Sequence, residues 1–173
     1  MNPIAWGAKV SPEFRAKAFS IAAQIGIDPD WLMSCIAFES GETFSPSVKN
    51  AAGSGAVGLI QFMPQTAALL GTSTEDLAAM SAEDQLDYVA RYFRHWSGKL
   101  KTLADVYMVI LWPAAVGQPD YYVLFDREDP THSKRYLQNR GLDFNGDGKI
   151  VKSEAAAGVL AKLAKGRRPE FLA

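Results

Sequence analysis

Apolar positions recur along this chain at helical spacing, and small or polar residues separate the periodic runs. Phe14, Ala18, Ile21, Ala22 and Ile25 form one stripe of a helix. Ser11 is placed to cap it, Pro12 to open it and Gly26 to stop it. The next run, "DPDWLMSCIAFESG", repeats the device with Asp28 as cap, Pro29 as first helical residue and Gly41 as terminator. "NAAGSGAVG" reads as a small-residue loop. "LIQFMPQTAALLG" follows as a short helical stretch with Pro64 as a boundary or restart. Ser81 and Asp84 form a capping-box-like pair before a helix that buries Leu86, Val89, Ala90 and Phe93. "TLADVYMVILW" is apolar nearly all round, which predicts a central buried helix stopped by Pro113. "DYYVLF" has the composition of a strand but is short, with no evident partner. "DFNGDGKIVKSEAAAGVLAKLAKG" reads as a loop running into a helix, and "RRPEFLA" as a loosely held tail. The predicted class is therefore all-α, with a little irregular β.

One residue breaks the pattern. Leu32, Cys35, Ile36 and Glu39 are spaced i, i+3, i+4, i+7, so Glu39 continues a core-facing stripe. It also falls in the last turn of its helix, the negative end of the helix dipole. Burial and dipole both disfavour a charged carboxylate and raise its pKa. A carboxyl kept protonated near neutral pH is what a general acid requires.

Composition narrows the classes. The chain has 173 residues, 48% of them hydrophobic, and a formal net charge of −1. That predicts one domain with a sizeable core and no basic face for nucleic acid. The single cysteine, Cys35, excludes an internal disulfide and lies in an apolar pattern. The opening "MNPIAWGAKVSPEF" lacks the basic start and apolar run of a signal peptide. No run approaches the length of a membrane span. "GSGAVG" spells a dinucleotide loop, but no strand precedes it. His95 and His132 stand apart, without the partners a zinc site needs.

"DFNGDGKIVKSE", residues 143–154, matches the calcium-loop pattern D-x-[DN]-x-[DN]-G-x5-E throughout. Asp143, Asn145 and Asp147 would supply side-chain oxygens, Lys149 its carbonyl, and Glu154 both carboxylate oxygens. Water would fill the place of Val151. Such loops normally come in pairs and only one is present, so the expected Ca2+ role is a structural clip for the C-terminal helix.

Glu39-Ser40 followed by "GAVGLIQFMP" at 55–64 resembles the signature of the lytic transglycosylases of the soluble, goose-lysozyme-like type. That family carries Glu-Ser at a helix end and then Gly-Leu-Met-Gln. Here Gly58, Leu59, Ile60 and Gln61 match with Ile for Met, and Phe62, Met63 and Pro64 continue the motif. At the third motif, Trp112 and Pro113 of "LWPAAVG" stand where the family has Tyr and Asn, and Tyr107 is a candidate substitute. "HSKRYLQN", 132–139, loosely matches the fourth motif, with Tyr136 as the tyrosine that leans over the glutamate.

The resemblance, which covers about residues 15–140, implies a lysozyme-like domain over 1–140; the calcium-loop pattern adds an EF-hand-like loop and helix at 141–166 packed on it, with a tail at 167–173. It implies cleavage of the β-1,4 bond between N-acetylmuramic acid and N-acetylglucosamine in peptidoglycan, with a 1,6-anhydro product. Glu39 would act as acid and then base, with no cofactor for catalysis. Ser40 and Gln61 would position Glu39 and the sugar, and Phe62, Met63 and Trp112 would form apolar walls. Glu42, just past Gly41, is expected to point to solvent. A goose-type lysozyme that hydrolyses the same bond, or a non-catalytic binding module, are the alternatives. The chain reads as a monomeric phage endolysin or virion-borne enzyme, made in the host cytoplasm and acting on the wall.

Overall fold

In a computed structural model, residues 2–50, 53–131 and 133–173 are described. They form two compact units, one of residues up to Gly98 together with Lys162–Ala173, the other of Lys99–Ala161. Among them the architecture is mainly helical, with one two-stranded sheet.

The first unit contains α1 (Pro12–Ile25), α2 (Pro29–Glu39), α3 (Pro64–Leu69), α4 (Thr74–Ala79) and α5 (Ala82–Phe93). Local chemistry sets α1 as the sequence predicts. The Ser11 hydroxyl accepts the Phe14 N–H, and Gly26 ends the helix at φ +81°. The buried residues of α1 are the five of the predicted stripe. Asp28 caps α2 through the Asp30 N–H. Its apolar residues are buried on several sides rather than on one stripe, Met33 and Ala37 included. Trp6, Phe14, Leu32, Met33, Ile36, Leu86 and Phe93 are at most 1% exposed. Each such side chain contributes about 1.5–3 kcal/mol.

Two expectations fail in this unit. Leu59–Met63 is not helical. Val57 bridges both Lys49 and Phe62, closing a tight turn over Gly58–Gln61, and α3 begins only at Pro64. The cause is Gln85, a fully buried polar residue on α5. Its Oε1 accepts the Leu59 N–H at 2.7 Å, while its Nε2 donates to the carbonyls of Pro46 and Leu77. Gly58 lies so close that a Cβ there would come within 2.3 Å of that Oε1, at φ +84°. The tail is also held rather than loose. The Ile4 and Ala8 N–H groups donate to the carbonyls of Ala173 and Phe171, and the Phe171 ring lies 4.7 Å from that of Trp6.

The second unit contains α6 (Leu103–Leu111), β1 (Val123–Asp126), α7 (Ser133–Asn139), β2 (Lys149–Val151) and the first turns of α8 (Lys152–Gly166). β1 and β2 pair antiparallel, Asp126 against Lys149 and Val123 against Val151, with an irregularity between Val123 and Phe125. The strand-like "DYYVLF" therefore has a partner after all. That partner is the second half of the Asp/Gly-rich loop, too far along the chain for local patterning to reveal. Lys152 and Asp105 form an ion pair at 2.6 Å with side chains 3% and 4% exposed. Asp105 also accepts the N–H groups of Lys101 and Gly117. This fixes both ends of the segment that carries α6 and the 3-10 turn after it.

Candidate active site

Glu39 is the last residue of α2. Leu32, Cys35 and Ile36, its companions on the stripe, are fully buried. The glutamate itself is only half-buried. None of the described hydrogen bonds ends on its carboxyl. No fully buried side-chain oxygen lacks a partner among the described residues, so the Glu39 oxygens still reach solvent. Burial pushes its pKa from the ordinary 4.5 up to about 7. At neutral pH the group thus divides between acid and carboxylate, the state that donates a proton and then takes one back.

The turn after Glu39 is built tightly. The Ser40 and Glu42 N–H groups bond back to the carbonyls of Ile36 and Ala37. Gly41, Glu42 and Phe44 all have φ between +53° and +67°. For the two non-glycine residues the left-handed conformation costs about 1–2 kcal/mol each. Ser40 is buried, and its hydroxyl oxygen accepts the Phe44 N–H at 3.1 Å. Phe44 in turn packs against Trp6 and Phe14. Glu42 does not point freely to solvent, contrary to expectation. Its two oxygens accept from Lys162 and, at 2.6 Å, from Lys165, and these contacts lower its pKa.

Gln61 sits at φ +54° and donates through Nε2 to the carbonyls of Val48 and Gly58, which holds the turn of the second motif. Phe62 is 2% exposed and meets Tyr92 edge-on at 6.2 Å, while Met63 is 46% exposed. Tyr92, on α5, is a site residue that sequence reasoning missed. Burial and then the charge of Glu39 raise its pKa to about 12, so its phenol stays protonated. No motif marks it, though three positions past Val89 and seven past Gln85 it borders the buried face of α5. Burial, with Glu39 adding to it, likewise holds the Cys35 thiol well above its usual range. A separate cleft lined by Lys49, Val57, Pro64, Thr74 and Glu75 does not include Glu39.

Tyr107, Trp112 and Tyr136 belong to the second unit. Tyr107 is 3% exposed on α6. Trp112 ends that helix with its ring edge-on to Phe125, and the Arg135 guanidinium lies 4.6 Å from its centre. Tyr136, on α7, donates its hydroxyl to Asp143 at 2.7 Å. His132, at the start of the fourth motif, lies outside the described residues.

The Asp/Gly-rich loop is folded on its own N–H groups. Asp143 accepts from Gly146 and Gly148, Asn145 from Asp147, Asp147 from Lys149, and Glu154 from Val151. Gly146 and Gly148 take φ +72° and +87°. Among the described residues, no three His, Cys, Asp or Glu side chains are gathered as a metal centre. The donor set itself, all oxygen, suits a hard cation such as Ca2+.

A carboxyl half-buried at the end of a buried helix, with its pKa raised to about 7, suits general acid and base work. The sequence model of the transglycosylase SLT domain matches residues 17–110, more than half of the chain, and the chain belongs to that family. None of the curated proteins matches it. Membership makes this a lysozyme-like, all-α domain of the lytic transglycosylases, enzymes that act on peptidoglycan. None of the described helices is long and apolar enough to cross a membrane.

Proposed function

We propose that this enzyme cleaves the β-1,4 bond between N-acetylmuramic acid and N-acetylglucosamine, with Glu39 as its single catalytic carboxyl. Glu39 protonates the glycosidic oxygen as the C1–O bond breaks. The resulting carboxylate then removes the proton of the muramyl C6 hydroxyl, whose oxygen bonds to C1. The product is a 1,6-anhydro sugar, Glu39 is protonated again, and no water is consumed.

The observation that carries this reading is the Glu39 pKa of about 7 on a carboxyl still reachable from solvent. A second one agrees with it. The nearest acid in sequence, Glu42, is engaged by Lys162 and Lys165, as a one-carboxylate mechanism allows. Ser40 holds the turn that follows the acid, Gln61 holds the turn of the second motif, and the exposed Met63 is available to a sugar face.

The reading extends to Ca2+ in the loop of Asp143, Asn145, Asp147, the Lys149 carbonyl and Glu154, where the ion would brace the start of α8. It extends also to a phage endolysin or virion enzyme, on the strength of the Ile60–Pro64 variant of the second motif. Timing of lysis in a host carrying the gene with and without a holin tests that source.

Mass spectrometry of muropeptides from digested peptidoglycan tests the reaction, with Glu39→Gln alongside. Anhydromuramyl products that vanish in the variant are the expected result. Reducing-end products, one water heavier, would make the enzyme a hydrolase.

A further inference from the structure

We propose that Glu42, clamped by Lys162 and Lys165, is a positioning device for Glu39, supplied by a part of the chain that lies beyond the family's matched residues. The proposal rests on Glu39 being the catalytic acid.

The geometry makes the turn after Glu39 expensive to hold. Glu42 and Phe44 are both left-handed without being glycine. Phe44 is secured by burial between Trp6 and Phe14. Glu42 is nearly a quarter exposed and has no such cover. Its conformation is held by two charge-assisted hydrogen bonds, one from Lys162 and one at 2.6 Å from Lys165. Two ammoniums on one carboxylate, one per oxygen, fix its orientation as well as its charge.

Both lysines are themselves anchored. The Lys162 carbonyl accepts the Trp6 indole N–H, and the Lys165 ammonium lies 5.5 Å from the Trp6 ring and 5.3 Å from Phe171. The turn that follows Glu39 is therefore tied to the last turns of α8. Residues 162–173 lie outside the matched segment 17–110.

Three Cα–Cα steps keep the Glu42 backbone within about 11 Å of that of Glu39. The clamp acts on Glu39 through position, since burial is what raises the Glu39 pKa. Facing Glu39 within this unit are the Cys35 thiol and the Tyr92 phenol, both neutral. Facing Glu42 are Lys162 and Lys165.

The test uses Glu42→Gln, the pair Lys162→Met with Lys165→Met, the triple variant, and Lys162→Arg with Lys165→Arg. Each is assayed on soluble glycan strands for kcat, KM and the alkaline limb of the kcat/KM profile. Unfolding midpoints are taken in parallel. The methionine pair should lower kcat about tenfold, leave KM within about twofold and leave the limb in place, because burial sets the Glu39 pKa. Glu42→Gln should do the same. The triple variant should lose no more kcat than the methionine pair, and the arginine pair should keep kcat within about twofold of wild type.

Full kcat in the methionine pair would overturn the proposal. So would a loss of kcat that follows the fall in unfolding midpoint and is not rescued by the arginine pair, which would mark a structural role only. Activity surviving in Glu39→Gln would instead sink the reading of Glu39, so the two failures are distinguishable.

Discussion

Glu39 should weaken the fold in a pH-dependent manner, and the sign can be worked out in advance. Its pKa rises from 4.5 in the open chain to about 7 in the folded one. Below the lower value the carboxyl is neutral in both states and contributes nothing. As pH rises past it, the unfolded chain ionises first, and the folded state falls behind until both are charged above the upper value. At 1.36 kcal/mol per unit the full penalty is about 3 kcal/mol. Glu39→Gln removes it, because an amide has no charge to desolvate. The amide carries its own burial cost, but that cost does not change with pH.

The informative quantity is therefore the difference in unfolding temperature between variant and wild type, measured at pH 4 and again at pH 8. For a chain of this size about 3 kcal/mol corresponds to roughly 6–12 °C. The variant should gain that much on wild type between the two pH values. A difference that stays constant within about 1 °C would show that Glu39 is not desolvated, and would remove the physical basis for its role as an acid.

Other consequences follow from buried polar groups. Asp105→Asn or Lys152→Met should each cost about 3–5 kcal/mol in urea unfolding, since either leaves an uncompensated charge at a pair less than 5% exposed. Gln85→Leu strands the Leu59 N–H and the Pro46 and Leu77 carbonyls, at about 1–3 kcal/mol for each group left unpaired. Its hydrogen exchange should rise selectively over residues 57–62. Calcium at 100 times its Kd should stabilise wild type by about 2.7 kcal/mol, and Asp147→Asn with Glu154→Gln should abolish both that gain and terbium luminescence. No calcium-dependent shift in wild type at millimolar concentration would remove the loop from the list of cation sites.

What the sequence disclosed was local. The caps at Ser11 and Asp28, the α1 stripe and the misplaced glutamate all follow from spacing within one helix. The β1 partner and the anchored tail depend on residues far apart in the chain, and no periodicity encodes them. Gln85 was within reach. Residues 85, 89 and 93 are spaced i, i+4, i+8, so it continues a buried stripe just as Glu39 does. Stripe position marks a buried amide as readily as a buried acid, but only the acid suggests chemistry. The Glu42 clamp could not be read, because its lysines lie about 120 positions away on a helix whose packing partner no local pattern names.

The last residues of the chain lie against the first. Trp6 is fully buried, its indole bound to a carbonyl of α8, and the Ala173 carbonyl accepts the Ile4 N–H. The segment matched by the family model, 17–110, therefore leaves out residues that cover Trp6 and hold Glu42. A fragment cut at residue 110 would bare Trp6 and leave Glu42 without its lysines. Transplanting the motifs into another scaffold would have to carry both ends of the chain with them.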